Sequence, residues 1–106
     1  MQYSVIDLTD GGHTAMVFNG ATNAISVDHC TIRGAPYGLM FYGGKNAVFT
    51  DNNWDNTINV DATSGVSGDF SRSYFRGGAP NVVAGATLTV KNAMTAPIVD
   101  AKPRTQ

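Results

Sequence analysis

The chain has 106 residues, charged side chains at 14% of positions and a formal net charge of -1. That length bounds it to one domain able to bury a working core. The near-neutral charge excludes the basic field that duplex nucleic acid or an anionic membrane would demand, so neither is an expected partner.

The composition favours strand and turn: 12 Gly, 11 Thr, 10 Val and nine Asn stand against three Leu and no Glu, a poor recipe for long helices. An all-β chain is expected. Cys30 is the single cysteine, which rules out an intrachain disulfide and leaves no cysteine-based zinc site; no metal and no cofactor is expected. Apolar runs of four to five residues fall far short of the roughly 20 that span a bilayer. The first residues also lack the basic and apolar regions of a signal peptide. A soluble chain is expected, any export signal lying elsewhere.

In chain order, Tyr3 to Leu8 is strand-like, and Thr9 to His13, with its Asp-Gly and Gly-Gly pairs, is a turn. Thr14 to Ala21 then matches Tyr37 to Gly44 at an offset of 23, which makes the first 20 residues a worn copy of a repeating unit. Val27 to Gly34 (Val-Asp-His-Cys-Thr-Ile-Arg-Gly) is the template of that unit. Phe49 to Asn56 and Phe70 to Gly77 repeat it 22 and then 21 residues on. Each copy opens with a large apolar residue (Val27, Phe49, Phe70), carries a small one fourth (Cys30, Asn52, Ser73), a large apolar one sixth (Ile32, Trp54, Phe75), and closes on Gly or Asn.

Ile25 and Val27 alternate as a half-buried strand should, but the next inward candidate, Cys30, comes three residues later, so the chain bends at Asp28 and His29. Aligning the copies places His29, Asp51 and Arg72 at the second residue of the bend. A weaker copy, Leu88 to Ala93, adds Asn92. His, Asp and Asn are the non-glycine types that most readily accept a left-handed backbone. Thr31, Asn53 and Tyr74 then point outward, and a third strand follows in each unit: Gly38 to Phe41, Thr57 to Val60 and Asn81 to Ala84. The stretch from Thr95 to Gln106, with Pro97 and Pro103, reads as a departing arm or linker after coils at 1–94.

Three short strands in a unit of about 22 residues cannot pair with one another without long loops, but each can pair with its equivalent in the next unit. That is a parallel β-solenoid of about four coils, with like residues stacked in columns one strand spacing, roughly 4.8 Å, apart.

The apolar-x-apolar-x-x-small-x-apolar-x-Gly pattern of Ile25 to Gly34, its degenerate copies and the coil length resemble right-handed parallel β-helix proteins of the pectate lyase-like class. That class includes phage tailspikes and many polysaccharide-processing enzymes. The resemblance implies an extracellular or virion-surface protein that recognises polysaccharide, and a homotrimer or further coils of a longer parent chain to cover open ends. The fold hosts lyases, hydrolases, adhesins and inert spacers alike, so function must be argued from side chains.

All eight acidic residues are Asp. Asp28 and Asp51, in neighbouring columns of neighbouring coils, are the candidate catalytic pair, at a separation expected to suit an acid and a nucleophile or base of a glycoside hydrolase. His29 and Arg72 flank them and would tune their pKa or bind an anionic sugar. The competing reading assigns these four to bend geometry alone. Arg33, Asp55 and Arg76 form an outward column that serves either as a register-setting charge ladder or as a grip on a carboxylated polysaccharide. Tyr74, with Tyr37 and Tyr42, offers an aromatic face for sugar stacking. The Asp-Gly-Gly-His segment from Asp10 to His13 is explained by its turn, and the clustered Asp pairs and Gly-His-Gly element of polygalacturonase-type relatives do not occur. The expected function is therefore scaffold and glycan-binding face. A polysaccharide hydrolase or lyase and a purely structural spacer are the alternatives.

Overall fold

A computed structural model describes residues 1–9, 11–18, 25–81, 84–99 and 101. Among the described residues ten strands follow in order: β1 Val5–Asp7, β2 Thr14–Phe18, β3 Thr31–Arg33, β4 Tyr37–Phe41, β5 Ala47–Val48, β6 Asn53–Asp55, β7 Ile58–Ala62, β8 Ser67–Asp69, β9 Tyr74–Arg76 and β10 Thr87–Thr89. They form three sheets, ordered β1-β3-β6-β9, β2-β4-β7 and β10-β8-β5, and every pairing is parallel. Strands adjacent in sequence thus lie in different sheets, and each pairs with its equivalent one unit away. The chain is a parallel β-solenoid.

Two repeat columns predicted from the sequence are strand register: Thr31 pairs with Asn53 and Asn53 with Tyr74, while Ile32 pairs with Trp54 and Trp54 with Phe75. About three turns are fully paired, one fewer than the four coils expected. In the first coil the third side shrinks to a bridge between Ser26 and Val48, and in the last the second side shrinks to a bridge between Asp61 and Asn81. A terminal coil has a neighbour on one side only, so its strands lack half of the bonds that hold inner ones. The predicted strands reaching Ala21 and running from Asn81 to Ala84 extend in part outside the described residues, as does Asp10.

The inside is a stack of aromatic rungs. Phe41, Phe49, Trp54 and Phe70 are fully buried; Phe49 stacks on Phe70 with ring centres 4.8 Å apart and meets Phe41 edge-on at 5.5 Å. Burying one such ring contributes roughly 1.5 to 3 kcal/mol, and the offset and edge contacts add to it. Gly68 is the space these rings require, because a Cβ there would lie 3.2 Å from both Phe41 and Phe70. Phe75, at the end of its column, is only partly buried.

The bend is a column of left-handed residues. Tyr3, His29, Asp51, Arg72 and Asn92 have φ of 49°, 53°, 60°, 56° and 56°. Four of these follow from aligning the repeats, and Tyr3 joins them because Gln2 bridges to Asp28. Such a conformation costs a non-glycine residue about 1 to 2 kcal/mol. What it secures is the turn that carries Cys30, Asn52 and Ser73 fully inside.

Those inward positions are small or polar for a specific reason. The Asn52 carboxamide accepts from Cys30 N at 2.9 Å and donates to Val27 O at 2.9 Å, and Ser73 Oγ donates to Phe49 O. At the next corner Asn56 accepts from Ala35 N and donates to Ile32 O, while Asn59 accepts from Asn56 N and donates to the carbonyls of Arg76 and Gly78. Asparagine therefore satisfies corner backbone groups that the strand ladders leave over.

The C-terminal segment begins another rung: Met94 N donates to Ser73 O, as Tyr74 N does to Asn52 O and Asn53 N to Cys30 O. By that register Ala96 stands one unit after Arg76, and Pro97, which has no N–H to give a ladder, follows it at the position of Gly77. The described part of this arm runs back over the β1-β3-β6-β9 sheet, with Ile98 bonded to Asn53 and Ala101 to Thr31. Residues 100 and 102–106 of the arm lie outside the described residues.

Candidate functional site

The outward face of β3, β6 and β9 brings two columns together, Thr31/Asn53/Tyr74 and Arg33/Asp55/Arg76. With Pro97 of the arm along one side, these residues line a groove of about 180 Å³. Arg33, Tyr74 and Arg76, three of the residues singled out from the sequence, thus share one surface depression. The reason is strand alternation: residues two apart on one strand face the same way, and register repeats that pair on every rung.

The charge column is longer than the sequence reading gave it, and it pairs differently. Asp7 of β1 precedes Arg33, and its carboxylate lies 3.3 Å from Arg33 Nε, while Arg76 Nη1 lies 3.6 Å from Asp55. Sequence reasoning missed Asp7, although the predicted strand from Tyr3 to Leu8 would have exposed it once Val5-Ile6-Asp7 was aligned on Thr31-Ile32-Arg33. The Thr9 hydroxyl and amide hold the Asp7 carboxyl below its ordinary value, against slight burial and with help from Arg33. Both arginines are more than half exposed, so these pairs are worth little as stability and leave cationic surface in reach of a ligand.

The bend column carries the other candidates along a different edge. Asp28 Oδ2 lies 2.7 Å from His29 Nδ1 and accepts from Gln2 Nε2 at 3.0 Å. Burial pushes the Asp28 carboxyl up, but the hydrogen bonds and charge of its partners outweigh that and leave it below the usual value. It is therefore a carboxylate at neutral pH, with the chemistry of a base or ligand anchor rather than of a proton donor. Asp51 faces Arg72 through two hydrogen bonds of 3.0 Å each, from Nε and Nη2. Asp28 and Asp51 thus each have a partner of their own, an imidazole and a guanidinium, and Tyr3 stacks on the His29 ring at 5.1 Å. The two further tyrosines stand apart from the groove: Tyr42 donates to Asp61 at 2.9 Å, which raises its phenol pKa, and Tyr37 lies against His13.

Cys30 is buried and its thiol is pushed up by desolvation, an inert structural thiol rather than a nucleophile. Fold and face together define a class, a parallel β-solenoid with a polar, aromatic-lined groove on one sheet. No protein-family model, no curated protein and no solved structure matches the chain.

Proposed function

We propose that this chain is a segment of a polysaccharide-recognising surface protein, tailspike-like in its coils, whose β3-β6-β9 face binds glycan while the solenoid acts as scaffold. The observation that carries this reading is the setting of Tyr74, whose ring shares a groove of about 180 Å³ with Arg33 and Arg76. An aromatic ring with a polar tip suits the apolar face of a sugar, and guanidinium groups beside it suit carboxylates, which they bind in a two-pronged fashion. A groove below the roughly 300 Å³ of common ligand pockets fits one sugar ring of a longer chain. Acidic polysaccharide is therefore the favoured ligand. Partly exposed apolar side chains near the terminal coils, such as Val17 and Met94, agree with cover by a homotrimer or by further coils.

The test is calorimetric titration with a panel of acidic and neutral polysaccharides, run beside assays for reducing ends and unsaturated products. Binding of an acidic glycan that weakens at least tenfold in Tyr74→Ala, and that falls with added salt, supports the reading. Binding to none of the panel would leave a structural spacer. Turnover abolished by Asp51→Asn would replace the binding face by a catalytic one at Asp28 and Asp51.

A further inference from the structure

We infer that Thr31 and Asn53 form a binding site for an extended peptide main chain, held in this structure by Pro97, Ile98, Val99 and Ala101 of the same chain, and that this segment is a releasable strap along the Tyr74 groove. The Asn53 side chain points outward from β6, yet Asn53 is only 8% exposed. Its carboxamide is covered and fully engaged: Oδ1 accepts from Ile98 N at 2.7 Å, and Nδ2 donates to Ile98 O at 3.0 Å and to Thr31 Oγ1 at 3.2 Å. One rung away the Thr31 hydroxyl donates to Ala101 O. Both side chains of the solenoid therefore read main-chain groups. The side chains of the strap contribute less, since Pro97 and Val99 are exposed, Val99 at 79%, Ile98 is half-buried and only the small Ala101 is buried.

An N–H and a C=O of one residue, presented side by side, are the edge that an extended strand offers. Asn53 supplies the complementary acceptor and donor, so the site recognises backbone rather than sequence. The attachment is also light. Residues 90–97 before it are exposed, and a few hydrogen bonds at a partly wet face contribute modestly each. They suffice because the strap is tethered and its effective concentration is high. Pro97 lies along the groove that holds Tyr74, Arg33 and Arg76. On the glycan reading above, on which this consequence rests, release of the strap widens access to the groove.

Amide hydrogen exchange on the intact chain tests the docking without any glycan. Ile98 N–H, bonded to Asn53, should exchange about tenfold or more slowly than in an unstructured peptide. Phe49 N–H, bonded to Asp69 O inside the stack, should be slower still. Denaturant should accelerate Phe49 but not Ile98, the mark of local opening. Asn53→Ala should remove the protection at Ile98 and leave Phe49 within a few-fold, and Thr31→Val should weaken it with the groove carboxamide intact. An unprotected Ile98 in the parent chain, or Ile98 and Phe49 responding to denaturant together, overturns the strap. Ile98→Pro removes the N–H that Asn53 holds without changing a groove residue, and it should tighten binding of an acidic polysaccharide several-fold. Unchanged affinity overturns the gating. Absence of binding in both chains counts against the glycan reading, while the exchange result still decides the strap.

Discussion

Arg72 stands one coil above Asp51 in a column where both residues are left-handed, at φ 56° and 60°, and its guanidinium holds the Asp51 carboxylate through two bonds of 3.0 Å. Two opposing effects meet there: the backbone strain of a non-glycine residue, about 1 kcal/mol, and an ion pair at a half-exposed edge that solvent screens. Arg72→Gly should therefore leave stability within about 1 kcal/mol of the parent, because relief of strain offsets loss of the pair. Arg72→Val, which loses the pair and puts a β-branched residue in the same conformation, should cost about 2 kcal/mol or more. Urea unfolding of the two variants checks the order; equal losses would show that the ion pair, not the backbone, governs this column.

Asn52 bonds Cys30 N and Val27 O from inside the stack, with no exposure to water. Replacing it with Leu, similar in size but without polar atoms, orphans both backbone groups, at about 1 to 3 kcal/mol each. A loss of about 3 kcal/mol in equilibrium unfolding is the expected result. Ser73→Ala at the equivalent position removes the donor to Phe49 O and the acceptor of Asn52 N and should cost about 1 to 3 kcal/mol.

Gly38 tests close packing where backbone strain is absent. Its φ is not in the left-handed range, yet a Cβ built on it would lie 2.6 Å from both Asn56 Nδ2 and Asn59 O. Gly38→Ala must push apart the asparagine corner that ties three coils together, and a loss of about 2 kcal/mol or more is expected by analogy with overpacked cores. Thermal melts suffice to measure it, and an unchanged midpoint would mean the corner yields freely.

Acid should destabilise the fold through three carboxylates. Asp7 is lowered from 3.8 by the Thr9 hydroxyl and amide, Asp69 likewise by the Ser71 hydroxyl and amide, and Asp28 by His29 and Gln2 against the opposing push of burial. A carboxyl whose folded pKa lies below its unfolded one binds fewer protons when folded. Its contribution is present above the unfolded value and is lost as pH falls through the folded one. The melting temperature should hold level down to about pH 5 and fall below about pH 4. Asp69→Asn should flatten that fall, and a midpoint rising on acidification would contradict the assignment.

The fold was legible in the sequence to the extent that its causes repeat. A spacing near 22 reflects one trip around the coil, so columns such as Phe49 with Phe70 and Ile32 with Trp54 could be read from spacing and confirmed as stacked rings and strand register. The left-handed bend was equally legible, because His29, Asp51 and Asn92 are of the few types that tolerate that backbone and the alignment sets Arg72 among them. The inward asparagines were half read. A small or polar residue at position 52 was visible in the alignment, but not that its amide would bridge the carbonyl of Val27 and the amide of Cys30.

By itself, then, the sequence determined the solenoid, its inward columns and the placing of Arg33, Tyr74 and Arg76 on one face, because these depend on alternation along a strand and repetition between coils. Only the tertiary structure decided that Arg33 pairs with Asp7 rather than Asp55, that Asp51 belongs to Arg72, and that Ile98 returns to Asn53. Arg33 and Asp51 each choose between the rung below and the rung above. The outcome turns on side-chain direction and on where Pro97 sends the chain, and neither leaves a periodic trace in the order of residues.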